Sequence, residues 1–221
     1  MSPAVRLVVS FGSLLLTFGA LLYGSAGRFD VPAFHAYLAL WAIQITVTQA
    51  IALRVHPDLV EERMRPPSDR DRRTPFISAV PAVAHLVLAG LDARFGWSGM
   101  PPSIQLGAFL VMAVGLGFVT WTLTTNRYAS SAVRIQHDRG QVVITHGPYA
   151  LVRHPMYLGV FLVVVSAGLA LGSWWSALAI LPLVPIFVVR TQKEDRMLHE
   201  ELAGYPAYAS RVQWKVIPLV F

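Results

Sequence analysis

Two clusters in the last third of the chain hold side chains able to do chemistry. The first is Gly147 to Tyr157, GPYALVRHPMY. Gly147-Pro148 is a turn signal, because glycine supplies positive φ and proline fixes its own φ and restricts the residue before it. Pro155 suits the first position of a helix, where its missing N–H is not needed, and the apolar run from Leu158 to Leu162 continues that helix. Arg153 and His154 then stand at the helix entrance, where unpaired N–H groups and a partial positive charge suit a ligand carrying a carboxylate or phosphate. Their plain alternative is a pair of juxtamembrane anchors. The second cluster is Arg190-Thr-Gln-Lys-Glu194-Asp195. Arg190 and Glu194, four apart, share one face of a helix, and their plain alternative is an i,i+4 ion pair contributing ~0.2–0.5 kcal/mol.

The elements that must position these residues are membrane spans. Of 221 residues 55% are hydrophobic and 14% charged, too apolar for a soluble domain of this size. Val5 to Tyr23, Val31 to Leu53, Pro75 to Leu91 and Ile104 to Thr124 read as four spans, with Gln44, Thr46, Thr48 and Gln49 facing other helices because unpaired polar groups in hydrocarbon are costly. Pro155 to Leu171 and Trp174 to Val189 form a fifth and a sixth, joined by Gly172-Ser173. At ~1.5 Å per residue these last two reach only ~25 Å, short of a ~30 Å hydrocarbon core. Pro182 and Pro185 should bend the sixth, as Pro81 should kink the third. Between spans four and five, Val133 to Ile135 and Gln141 to Ile144 predict a short hairpin or an extended segment around His137-Asp138-Arg139-Gly140. The expectation is an all-α integral membrane protein of about six spans with a C-terminal helix beyond the membrane. It forms one domain over 1–221, four N-terminal spans over 1–124 and a functional part over 125–221.

Charge sets the expected orientation. Of the 18 Lys and Arg only Arg28 and Arg94 fall on one side, so the positive-inside rule places both termini and both clusters in the cytoplasm, on a cell membrane. Reporters at Ser68, Asp138 and Ser210 should then read cytoplasmic, and at Ser98 and Ser173 the opposite. The net charge of +6 follows from this topology. Nucleic acid is excluded as a partner, since the basic residues lie between apolar runs without any nucleic-acid motif. Zero cysteines exclude thiolate chemistry and Cys-based metal sites. His35, His56, His85, His137, His146 and His199 are scattered without metal-ligand spacing, so no metal is expected. Trp97, Trp174, Trp175 and Trp214 read as interfacial belt residues.

GPYALVRHPMYLG, followed after a helical hairpin by R-x-x-x-E-D-x-x-L, Tyr205-x-x-Tyr208 and Ile217-Pro218, resembles the isoprenylcysteine carboxyl methyltransferase family and its bacterial relatives. The resemblance spans about Gln141 to Pro218; the wider group includes phospholipid N-methyltransferases with a similar R-H-P-x-Y segment. It implies methyl transfer from S-adenosylmethionine, held between the loop before the fifth span and the C-terminal helix. Glu194 would take the cofactor's amino group or a ribose hydroxyl, and His154 with the helix end behind Pro155 its carboxylate. Tyr149 and Tyr157 would offer aromatic faces to the sulfonium, worth ~0.5–2 kcal/mol. Gln141, Val142, Val143 and Ile144 would line the adenosine, and Pro155 and Met156 complete the set. Arg190 matches the family's substrate-side arginine, so it is the candidate for binding and catalysis at the acceptor, with Arg153 as the second catalytic candidate.

Three functions follow. The first is carboxyl methylation of an isoprenylcysteine-like or other lipophilic acceptor, a lipid, a lipidated protein or a small molecule. A carboxylate is already ionised at neutral pH, so that chemistry needs no general base; positioning and water exclusion lower the barrier. The second is N-methylation of a phospholipid amine, which must lose a proton. The third, a transporter or sensor, should carry ionisable residues within its spans, whereas here they stop at the boundary apart from His35 and His85.

Overall fold

The computed structural model describes residues 3–65, 68 and 71–221. Helix α1 covers Pro3–Ala26, α2 Pro32–Val55, α3 Pro57–Arg63, α4 Thr74–Phe95, α5 Pro102–Thr125, α6 Pro155–Ala170, α7 Trp174–Ile180, α8 Leu183–Glu201 and α9 Tyr205–Ala209. Among the described residues there is no strand. Proline opens most of these helices, as expected where the first N–H groups have no intrahelical partner.

Five segments are long and apolar enough to cross a membrane: Val9–Ala26, Pro32–Val55, Thr74–Phe95, Pro102–Thr125 and Trp174–Glu201. The six apolar segments expected are thus present as these five plus α6, an apolar helix of only 16 residues, the short one anticipated between spans four and six. The last span is two helices, since the chain turns between Ile180 and Leu183 at Pro182, which cannot continue the hydrogen-bond ladder of α7. Pro185 falls in the first turn of α8, where a missing N–H is tolerated. Pro81 stays within an unbroken α4.

α6 is the central helix, with most of its length buried. It meets α5 at two glycines: a methyl on Gly115 would sit 2.7 Å from the Gly159 carbonyl oxygen, and one on Gly159 2.5 Å from that of Gly115. Small residues that let backbones touch are how helices associate in lipid, where burial of apolar surface gives no drive. Polar residues inside the bundle find partners: the Thr48 and Thr120 hydroxyls are 2.7 Å apart, and Gln44 donates to Thr48 at 3.0 Å. Thr46, expected to face a helix, is instead exposed. His85 is buried on α4, its Nδ1 2.6 Å from Ser176 Oγ and its Nε2 3.3 Å from the Tyr37 hydroxyl, so this span histidine is a packing group with neutral partners.

Residues 126–154 form no hairpin; they run extended between short turns at His137–Arg139 and Gly147–Ala150. What fixes this segment is α3, which presents its charges to it. Arg134 donates to both oxygens of the buried Glu62, each at 2.9 Å, and Arg63 donates to the Ala129 carbonyl at 2.9 Å. Asp58 accepts from Arg127 and Arg139; burial opposes its ionisation, but the two guanidiniums bring its pKa down to about 2. Ser68 donates to the Val133 carbonyl, tying the loop after α3 to the same segment. At the other end of the bundle Asp92 holds Ser98, which in turn accepts from the Trp174 N–H. Trp97, Trp174 and Trp175 are exposed there, while Trp214 is half-buried at the end that carries the two clusters.

Candidate active site

The turn at Gly147, the start of α6, the second half of α8 and the extended loop converge on one cavity of about 210 Å³. Every residue singled out for binding or catalysis lines it: Gln141, Val142, Val143, Ile144, Tyr149, Arg153, His154, Pro155, Met156, Tyr157, Arg190 and Glu194. Gly147 makes the entry turn with φ +61, and a methyl there would stand 3.0 Å from Thr125. Pro155 opens α6 with His154 as its N-cap residue.

One wall is built around Asp195, the residue beside Glu194 in sequence. Arg153 donates to both its oxygens, from Nε at 3.0 Å and from a terminal nitrogen at 3.3 Å, and its other terminal nitrogen donates to the Val212 and Gln213 carbonyls at 3.0 and 2.9 Å. His154 Nε2 lies 3.1 Å from the same carboxylate, the Tyr205 hydroxyl donates to it at 2.9 Å, and Lys215 Nζ stands 3.4 Å away. Arg153, His154, Asp195 and Tyr205 are all buried. The tail closes this wall from outside, since its Trp214 and Lys215 carbonyls accept from the N–H groups of Arg153 and His154 at 2.9 and 2.8 Å. Burial, then the Asp195 charge, raises the Tyr205 pKa, and so its phenol remains a donor.

Glu194 turns the other way, into the cavity, where it accepts from the Tyr157 hydroxyl at 2.8 Å. Tyr149 accepts from Asn126 at 2.7 Å, and its carbonyl accepts from the Tyr208 hydroxyl at 2.7 Å. Burial raises the Tyr149 pKa against the Asn126 bond, and the Glu194 charge adds to the rise, leaving a neutral ring beside the carboxylate. Gln141 accepts from the Gln136 N–H at 2.8 Å, which pins the start of the Gln141 to Ile144 stretch.

Arg190 does not pair with Glu194. It donates to the Ser131 carbonyl at 2.6 Å and lies 2.8 Å from Asp71, from the loop before α4. That ionic contact lacks hydrogen-bond alignment: among the described residues Asp71 Oδ2 and Arg190 Nε are buried without a hydrogen-bond partner. Arg63 also lines the cavity, and its pKa is lowered by burial first and by the nearby Arg190 charge second. Both side chains line the cavity, with Arg63 tied to the Ala129 carbonyl and Arg190 lying against Asp71. Sequence reasoning did not assign Arg63, Asp71, Asn126, Ser131, Asp195, Tyr205 or Tyr208 to the site. Asp195 and the Tyr205/Tyr208 pair carried a signal, an acid next to Glu194 and two tyrosines spaced to share a face, and Arg63 a fainter one, since the segment from Pro57 to Glu62-Arg63 also resembles the family. Among the described residues no group of three or more His, Asp or Glu side chains is placed to hold a metal ion.

Residues 104–203 match the family model described as phospholipid methyltransferase. The match runs from the first turn of α5 to just past the end of α8, and includes all twelve assigned residues. Comparison with curated proteins brings no match. The chain thus contains, over slightly less than half its length, the signature of a membrane methyltransferase family, set in a bundle of apolar helices.

Proposed function

We propose that the protein is a multi-pass membrane methyltransferase that uses S-adenosylmethionine, with its active site on the cytoplasmic face, and that its acceptor is a lipophilic carboxylate. The observation that carries this reading is the cavity itself, where twelve residues from four separate segments meet and Arg63 and Arg190 are among the lining. S-adenosylmethionine, when bound, supplies an electrophilic methyl group to a nucleophilic oxygen or nitrogen.

The lining suits that donor. Glu194 is a carboxylate for its amino group, Tyr149 and Tyr157 are aromatic faces for a cation, and the Gln141 to Ile144 stretch with Met156 and Leu198 gives an apolar slot with backbone groups beside it. At about 210 Å³ the cavity is smaller than the ~300–1,000 Å³ usual for ligand pockets. Its strandless 126–146 wall, held by side-chain contacts to α3 and not by a sheet, is the part able to give way. Arg153 and His154 hold the Asp195 wall and so act as positioning residues at the cavity's edge. Arg190, with Nε unpartnered, orients the acceptor carboxylate by its fork geometry. With Arg63 and Arg190 in its lining, the cavity holds cationic donors for an anionic acceptor beyond the groups assigned to the methyl donor. The family match favours the second reading, N-methylation of a phospholipid amine.

The deciding experiment supplies purified protein with methyl-labelled donor and either a farnesylcysteine analogue or phosphatidylethanolamine. Label in the thioether acid supports the carboxylate reading. Label in phosphatidylethanolamine alone replaces it by the amine reading, and absence of donor binding overturns both.

A further inference from the structure

Beside the cavity, and separated from it by Arg190, Val133 and Met197, which line both, lies an open groove of about 1300 Å³ between the start of α4 and the middle of α8. Its walls differ in character along the bundle. Toward the membrane they are apolar: Phe76 and Ile77 on α4 are 75% and 53% exposed, and they face Pro185, Ile186 and Val189 on α8. Toward the loops they are basic, with Arg72, Arg73, Lys193 and Arg196.

Five cations line the groove against three acids, Asp71, Glu200 and Glu201. Asp71 is engaged with Arg190, which leaves four cations, Arg72, Arg73, Lys193 and Arg196, against Glu200 and Glu201; the four are all exposed and none is in an ion pair among the described residues. Arg72 and Arg73 come from one side and Lys193 and Arg196 from the other, so the charges converge on the space between helices. Exposed phenylalanine and isoleucine below unpaired arginine and lysine match an amphiphile with apolar chains and an anionic head. Guanidinium and ammonium donors recognise phosphate oxygens, and each juxtamembrane cation strengthens attachment to anionic lipid roughly fivefold.

We propose that this groove binds a glycerophospholipid whose headgroup is net negative, the phosphate held by Arg72, Arg73, Lys193 and Arg196 and the acyl chains lying along Phe76, Ile77, Ile186 and Val189. The site stands on the groove alone and does not depend on which acceptor is methylated. Its occupant abuts Arg190, so an anionic lipid is a resident neighbour of the acceptor position.

Native mass spectrometry of the full chain released from detergent, with dioctanoyl phosphatidylglycerol and dioctanoyl phosphatidylcholine at equal concentration, reads the preference. The wild type should retain phosphatidylglycerol about tenfold over phosphatidylcholine. R72Q with R73Q, and separately K193Q with R196Q, should each lower phosphatidylglycerol retention by about 25-fold while R28Q, at the far end of the bundle, leaves it unchanged. Equal retention of the two lipids, or retention unaffected by both double variants, overturns the site. Displacement of the lipid by inorganic phosphate at the same concentration would make it a site for free phosphate and overturn the lipid assignment.

Discussion

Around Asp195, one wall of the cavity gathers an arginine, a histidine, a tyrosine and a lysine on a single buried carboxylate. Across the cavity Arg190 and Asp71 touch at 2.8 Å yet leave a guanidinium nitrogen and a carboxylate oxygen without hydrogen bonds. Both are Arg–Asp pairs, and they differ in how far their hydrogen-bonding capacity is met. A buried pair whose donors and acceptors are used is costly to break, because removing one partner strands the other. A pair left partly unmet keeps capacity for a ligand oxygen. The comparison teaches that charge at this site is used in two ways, fully engaged in holding the wall on one side and left partly unmet on the other, where the proposed acceptor would bind.

The sharpest way to break that division is Arg153→Ala. It leaves the buried Asp195 facing fewer donors, and a loss on the order of 3–5 kcal/mol is expected, seen as a lowered thermal midpoint in detergent together with loss of donor binding. Stability equal to wild type would show that the Asp195 wall is not structural. Next in size is Glu194→Gln, which keeps the shape and the bond from Tyr157 but removes a charge. Calorimetry should show donor affinity reduced by ~1.5–3 kcal/mol with an unchanged thermal midpoint, and wild-type affinity would take Glu194 out of the cofactor site.

Arg190→Ala should act in the reverse sense, lowering turnover of a lipophilic thioether acid about tenfold or more while donor binding stays near wild type. Loss of donor binding as large as in Glu194→Gln would move Arg190 into the cofactor site. The smallest effect belongs to Asp71→Asn. If the Asp71 carboxylate occupies the place of an acceptor oxygen, its neutral form should lower acceptor KM about two- to fivefold, within the range of a weak ion pair. A fall in kcat as large as that of Arg190→Ala would instead make Asp71 the residue that aims Arg190.

Local patterns carried much of this in the sequence. The Gly147-Pro148 turn, Pro155 as helix opener and Pro182 as interruption are backbone effects of single residues, and the apolar runs announce themselves by length. Glu194 and Arg190 were legible as a pair on one helix, but their partners were not, since Tyr157, Ser131 and Asp71 lie on other segments and only tertiary packing brings them near. Asp195 illustrates the limit. One position from Glu194, it points about 100° around the helix and faces the tail, and nothing local distinguishes a carboxylate that receives a ligand from one that anchors a wall. The partners of Glu62 and Arg63 were hidden for a similar reason: a charged seven-residue helix reads as a solvated loop until the 126–134 segment is laid against it.

The shortness of α6 bears on how the chain enters a bilayer. Its 16 residues rise ~24 Å, less than the hydrocarbon thickness, yet only Val165 along it is exposed, so neighbouring helices and not lipid surround it. Such a helix has little to gain from partitioning by itself. It becomes favourable once α5 is in place and Gly115 and Gly159 can meet. Insertion of this part of the bundle is then a cooperative step in which α5 receives α6 as a partner, and a bulky residue at either glycine would be felt first during biogenesis, as failure to integrate.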